Sequence, residues 1–335
     1  MLNFDPRRSV TQSVRIRPVV AATAIVAAVT LASCAAAPPT TEAHPAPPAP
    51  ANPPTGDVTL PWTTVHSGDA DGFDITLRFS ATMPADHLDA VIAAFRAAAT
   101  RWEQVITADL APVTYIGFNG CWGSGPTGTI DDVTIDVTIA AVDGPGGVLG
   151  AAGYCRKDGT MPRAGAMKFD SADLVAMLQL GNFDRVAIHE MGHVLGIGTA
   201  WAPAGLLDTS NGSDPRFTGP NAVAEWNAMT GGSDAGVPVE ATGGSGTALA
   251  HWREATFRSE LMTGWIAAGA SPLSRLSIAA LADLGYTVDV TTADPYVLGP
   301  SIIDLIAGNP SVLHSDDVEH GRFVLFGPDG PIGTD

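Results

Sequence analysis

Two histidines and a glutamate stand at a spacing that can bind a metal ion and activate water. His189-Glu190-Met191-Gly192-His193 is an HExxH motif. On a helix, the i and i+4 spacing places both imidazoles on one face, where zinc binds histidine nitrogens at about 2.0 to 2.1 Å. Glu190 can then take the proton of a water that attacks a peptide carbonyl and return it to the leaving amine. The motif predicts zinc-dependent hydrolysis, and a surface helix with two unrelated histidines is the alternative.

The segment around the motif has the features of a helix with a defined end. We predict a helix over 183–195, with Asn182 available as its N-cap and Asp184 in its first turn. Gly196 follows three residues after His193. A glycine at this place permits the left-handed backbone that ends a helix and turns the chain back under the metal.

The motif together with its closing glycine resembles the metzincin peptidases. In their short form a third histidine stands three residues after the glycine, but Thr199 occupies that position here. The third protein ligand must therefore lie elsewhere. In a different enzyme of the wider HExxH group it would be a downstream carboxylate, for which Asp208 and Glu225 are the candidates.

A second resemblance supplies another candidate for the third ligand. The chain contains His251-Trp252-Arg253 and, shortly after it, Glu260-Leu261-Met262, and 276–286 looks like a helix that follows. These segments resemble the leishmanolysin-like metallopeptidases, in which a long insertion separates the motif glycine from the third histidine. The resemblance implies that His251 is the third ligand and that Met262 forms the methionine floor beneath zinc. The alternatives are a histidine unconnected with metal and a methionine that only fills the core.

The resemblance also implies a fold and a function. It implies one α+β catalytic domain over 57–290, with a mixed sheet and helices in an upper lobe and an irregular or helical lower lobe. One catalytic Zn²⁺ would lie in the cleft between the lobes, where a protein or peptide substrate is hydrolysed. A surface binding or adhesion protein that keeps a zinc site for stability alone is the competing hypothesis, because the motif by itself binds metal in either case.

Hydrophobic periodicity predicts the elements of the upper lobe. Alternation of apolar and polar residues predicts strands over 73–79, 133–139 and 164–169. An apolar stripe at helical spacing predicts an amphipathic helix over 85–107. We further expect 166–170 to be the edge strand that pairs with the substrate backbone, as in metzincins.

The N-terminus reads as a targeting segment. Four arginines precede an apolar run that is too short for a membrane span and ends at Leu31-Ala32-Ser33-Cys34. This end resembles a bacterial lipobox, which predicts a signal peptide over 1–33, lipidation of Cys34 and a membrane anchor that faces outward. A plain secretory signal with an incidental cysteine is the alternative. Residues 34–56 are rich in proline and alanine and are expected to form an extended stalk.

Cysteine count and charge narrow the remaining possibilities. Besides Cys34 the chain has only Cys121 and Cys155, and an even pair in an exported protein favours a disulfide over two separate buried thiols. The net charge of the chain is −18. Nucleic acid and anionic membrane surfaces are therefore not expected as partners, because both require basic patches.

Two segments carry weaker signals. The insertion over 197–250 is rich in glycine and polar residues, and it includes the oxygen-bearing side chains of Asp208, Asn211, Asp214 and Asn221. Calcium binding there is conceivable, although a solvated loop is the default expectation for such a composition. The C-terminal segment over 291–335 has strand-like stretches such as 322–326 and no motif with a chemical role.

Overall fold

The structure is a computed structural model of the full chain. It describes the residues in the ranges 56–66, 68, 72–116, 120–121, 128–142, 144–145, 149–244, 246–265, 269–299, 323–327 and 330–331. The predicted signal peptide, Cys34 and nearly all of the predicted stalk lie outside these ranges. Among the described residues, no helix is both long and apolar enough to cross a membrane.

Strands dominate the first half of the described chain and helices the second. The strands are β1 (Asp57–His66), β2 (Ile75–Pro84), β3 (Val113–Tyr115), β4 (Gly128–Ile130), β5 (Val133–Ala140), β6 (Gly150–Asp158), β7 (Met161–Asp170), β8 (Leu207–Asp208), β9 (Arg216–Phe217), β10 (Val237–Pro238), β11 (Phe323–Gly327) and β12 (Gly330–Pro331). The α-helices are α1 (Leu88–Val105), α2 (Ser171–Gln179), α3 (Phe183–Val194), α4 (Pro220–Thr230), α5 (Glu254–Phe257) and α6 (Arg275–Leu284). The chain is therefore mixed α+β, as the sequence predicted.

The main sheet is mixed and has five strands in the order β1-β2-β5-β7-β6, which β11 and β12 extend at the β6 side. Strands β2, β5 and β7 run parallel, whereas β1 is antiparallel to β2 and β6 is antiparallel to β7. Strand β7 pairs with β5 on one side and with β6 on the other. The prediction that 166–170 forms the edge strand is therefore wrong, because both of its backbone edges are already hydrogen-bonded within the sheet.

The predicted elements of the upper lobe are present, with shifted ends. The strand predicted over 73–79 is β2, and the strands predicted over 133–139 and 164–169 are β5 and the second half of β7. The helix predicted over 85–107 begins with a 3₁₀ turn, Ala85–His87, and continues as α1. The strand-like stretch near the C-terminus is β11, which pairs in parallel with β6.

An aromatic cluster fixes α3 to the sheet. Phe95 of α1 lies with its ring centroid 5.3 Å from Phe79, 5.3 Å from Phe169 and 5.4 Å from Phe183. All four rings are buried, and edge-to-face aromatic pairs add stability beyond the area that they bury. Because Phe183 is the first residue of α3, the cluster sets where the motif helix begins.

The insertion over 197–250 is more ordered than a solvated loop. It contains α4, whose first backbone amides at Asn221 and Ala222 donate to the carboxylate of Asp283 on α6. Its Trp201 packs beside Trp252, with ring centroids 4.5 Å apart. The expectation of a plain solvated loop is wrong, because aromatic burial and this cap on α4 stabilise a folded lower part.

Cys121 and Cys155 form a disulfide, as predicted. The bond links the segment before β4 to β6 across a sequence separation of 34 residues. Closing a loop of this length stabilises a fold by roughly 3 to 4 kcal/mol in the chain-entropy model. The bond also agrees with export of the protein to an oxidising compartment.

Candidate active site

Helix α3 presents the HExxH motif from the interior of the protein. The helix covers Phe183–Val194, and Gly196 follows at φ +110°, a conformation that a residue with a side chain rarely adopts. The helix therefore ends where the sequence predicted. Asn182 precedes the helix but makes no side-chain cap bond, so the predicted cap is wrong. Its amide oxygen instead accepts a hydrogen bond from Arg185.

The structure brings His189, His193 and His251 together. The Nε2 atom of His193 lies 2.9 Å from that of His189 and 3.0 Å from that of His251, and the third separation is 3.3 Å. All three side chains are buried. In the part of the chain that the structure describes, they are the only group of three or more His, Cys, Asp or Glu residues with ligand atoms this close.

The outer nitrogen of each ring is used in a hydrogen bond with the backbone. The Nδ1–H groups of His189, His193 and His251 donate to the carbonyls of Leu261, Ile197 and Thr247 at 2.7, 2.8 and 3.0 Å. In a neutral imidazole one ring nitrogen is a donor and the other an acceptor. Each Nε2 therefore carries a lone pair, and three lone pairs face one another at the centre of the cluster.

Burial keeps the three rings neutral. It lowers the pKa of His189 to about 4 and that of His251 to about 3. Burial and then the neighbouring His189 and His251 also lower the pKa of His193 well below its usual value. Neutral imidazole is the form that binds metal, so the cluster is ready to bind a cation at neutral pH.

The separations between the rings fit one small cation. At a tetrahedral zinc with bonds of about 2.0 to 2.1 Å, ligand nitrogens lie roughly 3.3 Å apart. The observed separations of 2.9 to 3.3 Å are close to that value. Three acceptors without protons between them repel one another, and a bound cation removes this repulsion. The three residues therefore suit a metal site.

Glu190 lies beside the first histidine with no hydrogen bond to either carboxylate oxygen among the described residues. The side chain is fully buried, and burial raises the pKa of Glu190 well above its usual value. An unpaired buried carboxyl costs free energy. Such a group is typical of a functional site, where its partner is a ligand rather than another part of the protein.

Met262 packs beneath the motif helix. A Cβ atom placed on Gly192 would lie 3.0 Å from the sulfur of Met262 and 3.0 Å from the indole of Trp102. Glycine at the fourth position of the motif therefore allows both side chains to approach the helix between the two histidines. The family resemblance implied that Met262 lies beneath the metal; the structure shows its contact with the motif helix at Gly192, and its role beneath a metal stays a prediction.

Comparison with known protein families decides what this arrangement represents. Residues 127–302, slightly more than half of the chain, match the family model for leishmanolysin, the M8 peptidases. The matched range contains the three histidines and Met262. The chain belongs to the leishmanolysin family. A search of the curated proteins found no match.

Membership in the leishmanolysin family implies that the chain is a metalloendopeptidase. Its substrates are therefore proteins or peptides. The buried cluster of His189, His193 and His251 agrees with this assignment, because a metalloendopeptidase needs residues that bind a metal ion.

A buried carboxylate that sequence reasoning gave no role supports the site of this leishmanolysin-family chain. Glu260 accepts hydrogen bonds from the backbone N–H of Met262 at 2.5 Å and from the hydroxyls of Ser274 and Ser277 at 2.7 and 2.6 Å. Trp252 donates to Ser277 at 2.8 Å. These bonds attach the turn that carries Met262 to α6 and to the residue after His251. In the sequence, Glu260 stands directly before Leu261 and Met262, and this position is the signal from which its role at the turn could have been inferred.

Asp208 and Glu225, the carboxylates that could have been the third ligand, lie outside the histidine cluster. Asp208 is exposed, and its carboxylate accepts from the backbone N–H of Ser210. Glu225 pairs with the guanidinium of Arg275 at 2.8 Å. Neither belongs to the metal-binding group of His189, His193 and His251, so the alternative ligand set is not supported.

The oxygen-bearing side chains that could have bound calcium each contact a different group of the protein. Asp214 pairs with Arg216 at 2.8 Å and with Arg253 at 2.7 Å. The side-chain N–H of Asn221 donates to Asp283, and Asn211 accepts from Ser213. The carboxylate of Asp214 is thus held by two guanidinium groups, the amide oxygen of Asn211 accepts from a hydroxyl, and Asn221 is turned to Asp283 as a donor, so these side chains do not converge on a calcium site.

Proposed function

We propose that the chain is a zinc-dependent endopeptidase in which His189, His193 and His251 hold the metal and Glu190 is the general base. The observation that carries the proposal is the set of three Nε2 lone pairs, 2.9 to 3.3 Å apart, together with the buried carboxyl of Glu190 on the motif helix, a group that has no hydrogen-bond partner among the described residues. Three imidazoles leave a fourth position for water or substrate, which is typical of catalytic rather than structural zinc sites.

Zinc and Glu190 would have different roles in hydrolysis. When bound, zinc supplies Lewis-acid chemistry, which polarises the scissile carbonyl and lowers the pKa of water. Glu190 accepts one proton as the oxygen of the attacking water bonds to the carbonyl carbon. It then delivers that proton to the amine nitrogen as the carbon–nitrogen bond breaks. Glu190 directly follows His189 on α3, and both side chains are buried.

Backbone carbonyls and Met262 keep the ligands in place. The carbonyls of Leu261, Ile197 and Thr247 fix the tautomer and the orientation of the three rings. Such outer partners raise the affinity for metal by about 10- to 100-fold. Met262 supports the motif helix from below, at Gly192.

Removal and return of the metal test the proposal. The purified protein should contain about one zinc per chain and should cleave casein. A chelator should abolish cleavage, and one equivalent of zinc should restore it, because ligand residues that remain folded can bind the metal again. If the protein holds zinc yet cleaves nothing in a broad peptide library, the hypothesis of a binding protein with a structural zinc site replaces this proposal.

We also propose that the protein is lipid-anchored at Cys34 and faces outward from the cell membrane. The apolar run that ends in Leu31-Ala32-Ser33-Cys34 supports this location, and the Cys121–Cys155 disulfide supports export. Cys34→Ala should move the protein from the detergent phase to the aqueous phase in a phase-separation assay, while Cys121→Ala should leave it in the detergent phase. Retention of the Cys34→Ala protein in the detergent phase would show that the anchor lies elsewhere.

A further inference from the structure

The two ends of the insertion that separates the motif helix from His251 meet in space. Gly198 stands at the start of the insertion and Ala250 at its end. A Cβ atom placed on Gly198 would overlap the carbonyl oxygen of Ala250 and would lie 2.7 Å from its carbonyl carbon. The two backbones are therefore in direct contact, and there is room for no more than a hydrogen atom on Gly198. Since Ala250 directly precedes His251, the third histidine follows immediately after this contact.

The same stretch of backbone also orients a second ligand. The carbonyl of Ile197 accepts a hydrogen bond from the Nδ1–H of His193 at 2.8 Å, and Gly198 is the next residue along the chain. One peptide unit thus fixes the ring of His193 with its carbonyl and contacts Ala250 with its α-carbon. A shift of Ala250 would therefore move His251 relative to His193, and the Nε2 atoms of these two rings lie 3.0 Å apart.

The turn that carries His251 is held from another side as well. The backbone N–H of Glu240 donates to the carbonyl of His251 at 2.9 Å, and the N–H of Leu249 donates to the carbonyl of Glu240 at 2.8 Å. Leu249 has φ +68°, a left-handed conformation that a residue with a side chain keeps only where the surrounding structure holds it. The turn is therefore fixed between Glu240 and Gly198.

We propose that Gly198 is a positioning residue, whose backbone contact with Ala250 places His251 at the metal site before the metal binds. The proposal rests on the proposed function, in which His251 is a metal ligand. Glycine is required at this position for two separate reasons, because the backbone has φ +77° and because the contact leaves no room for a side chain. A ligand that is already in place binds more tightly, since no entropy is lost in ordering the turn.

Gly198→Ala tests the proposal through the affinity for zinc. The added methyl group must displace Ala250, and with it His251, from the other two histidines. We expect the affinity to fall by about 10- to 100-fold, the loss that follows when a group that orients a metal ligand is removed. Titration with a competing chelator measures it. The visible absorption of bound Co²⁺ depends on the geometry of its ligands and should also differ from that of the wild type.

Gly205→Ala is the matched control. Gly205 lies in the same insertion at φ +72°, but nothing lies within 4 Å of a Cβ atom there. Both variants put alanine into a left-handed conformation, so backbone strain is common to them and only Gly198→Ala adds the overlap. Gly205→Ala should therefore keep the zinc affinity and the Co²⁺ absorption of the wild type. The inference is overturned if Gly198→Ala binds zinc like the wild type, or if both variants lose affinity equally.

Hydrogen exchange of the wild type tests the inference without a substitution, and it decides the matter if Gly198→Ala does not fold. The amides of Glu240 and Leu249 should exchange as slowly in the metal-free protein as in the zinc-loaded one, because the contact holds the turn in both. Fast exchange that zinc slows would show that the metal orders the turn, and would overturn the inference. None of these measurements uses cleavage, so a protein that binds zinc but cleaves no peptide contradicts the proposed function alone.

Discussion

Glu190→Gln should retain zinc and lose about 10²- to 10⁴-fold in kcat, which is the contribution expected of a general base. The two side chains have the same shape, and Glu190 makes no hydrogen bond within the described part of the chain. The exchange therefore removes the proton acceptor while the three imidazoles stay in place. Zinc content by mass spectrometry and cleavage of a fluorogenic peptide measure the two quantities on the same sample.

Glu225→Gln is the matched control for this prediction. Glu225 lies on α4 and pairs with Arg275 outside the histidine cluster, so its replacement should leave kcat and zinc content unchanged. The assignment of Glu190 is wrong if Glu190→Gln turns over substrate at the wild-type rate, or if the loss of activity is accompanied by loss of the metal.

His251→Ala should abolish both zinc binding and cleavage. The variant removes one of three nitrogens that meet within 3.3 Å, and two imidazoles on one helix cannot close the coordination that zinc requires. We expect the affinity for zinc to fall by more than the roughly 100-fold seen when a partner of a ligand is removed. Titration with a competing fluorescent chelator measures the affinity directly.

His87→Ala is the control for His251. His87 lies at the start of α1 and is no part of the histidine cluster, so the variant should bind zinc like the wild type. A His251→Ala protein that keeps stoichiometric zinc at wild-type affinity contradicts the proposed ligand set and points to a carboxylate such as Asp208 or Glu225 as the third ligand.

Much of the metal site was accessible from the sequence because a helix fixes the geometry of nearby residues. The i and i+4 spacing of His189 and His193 determines that their rings share a face, and Gly196 marks where the helix must end. The position of His251 could not be derived from helix geometry. Its ring reaches the cluster only because the insertion over 197–250 folds around Trp201 and Trp252, and no local pattern encodes such a long-range contact. Resemblance to a family supplied what periodicity could not.

The errors have physical reasons of the same kind. The position of 166–170 within the sheet depends on β6, an antiparallel neighbour that is rich in glycine and alanine and has little alternation. Periodicity therefore does not predict β6, and without β6 the sequence pattern leaves β7 at an edge. The sequence of the insertion predicts a loop because its helix α4 is short and weakly amphipathic, and because the carboxylate that caps α4 belongs to Asp283 on α6, outside the insertion.

The central claim is that the protein hydrolyses internal peptide bonds. Membership in the leishmanolysin family and the buried histidine cluster both support it. Identification of the products by mass spectrometry tests this claim most directly. Zinc-loaded wild type is incubated with a denatured protein in water enriched in ¹⁸O, beside the Glu190→Gln variant. We predict internal fragments whose new C-termini carry one ¹⁸O atom and which are absent with the variant. An intact substrate, or loss of single terminal residues only, would contradict the account.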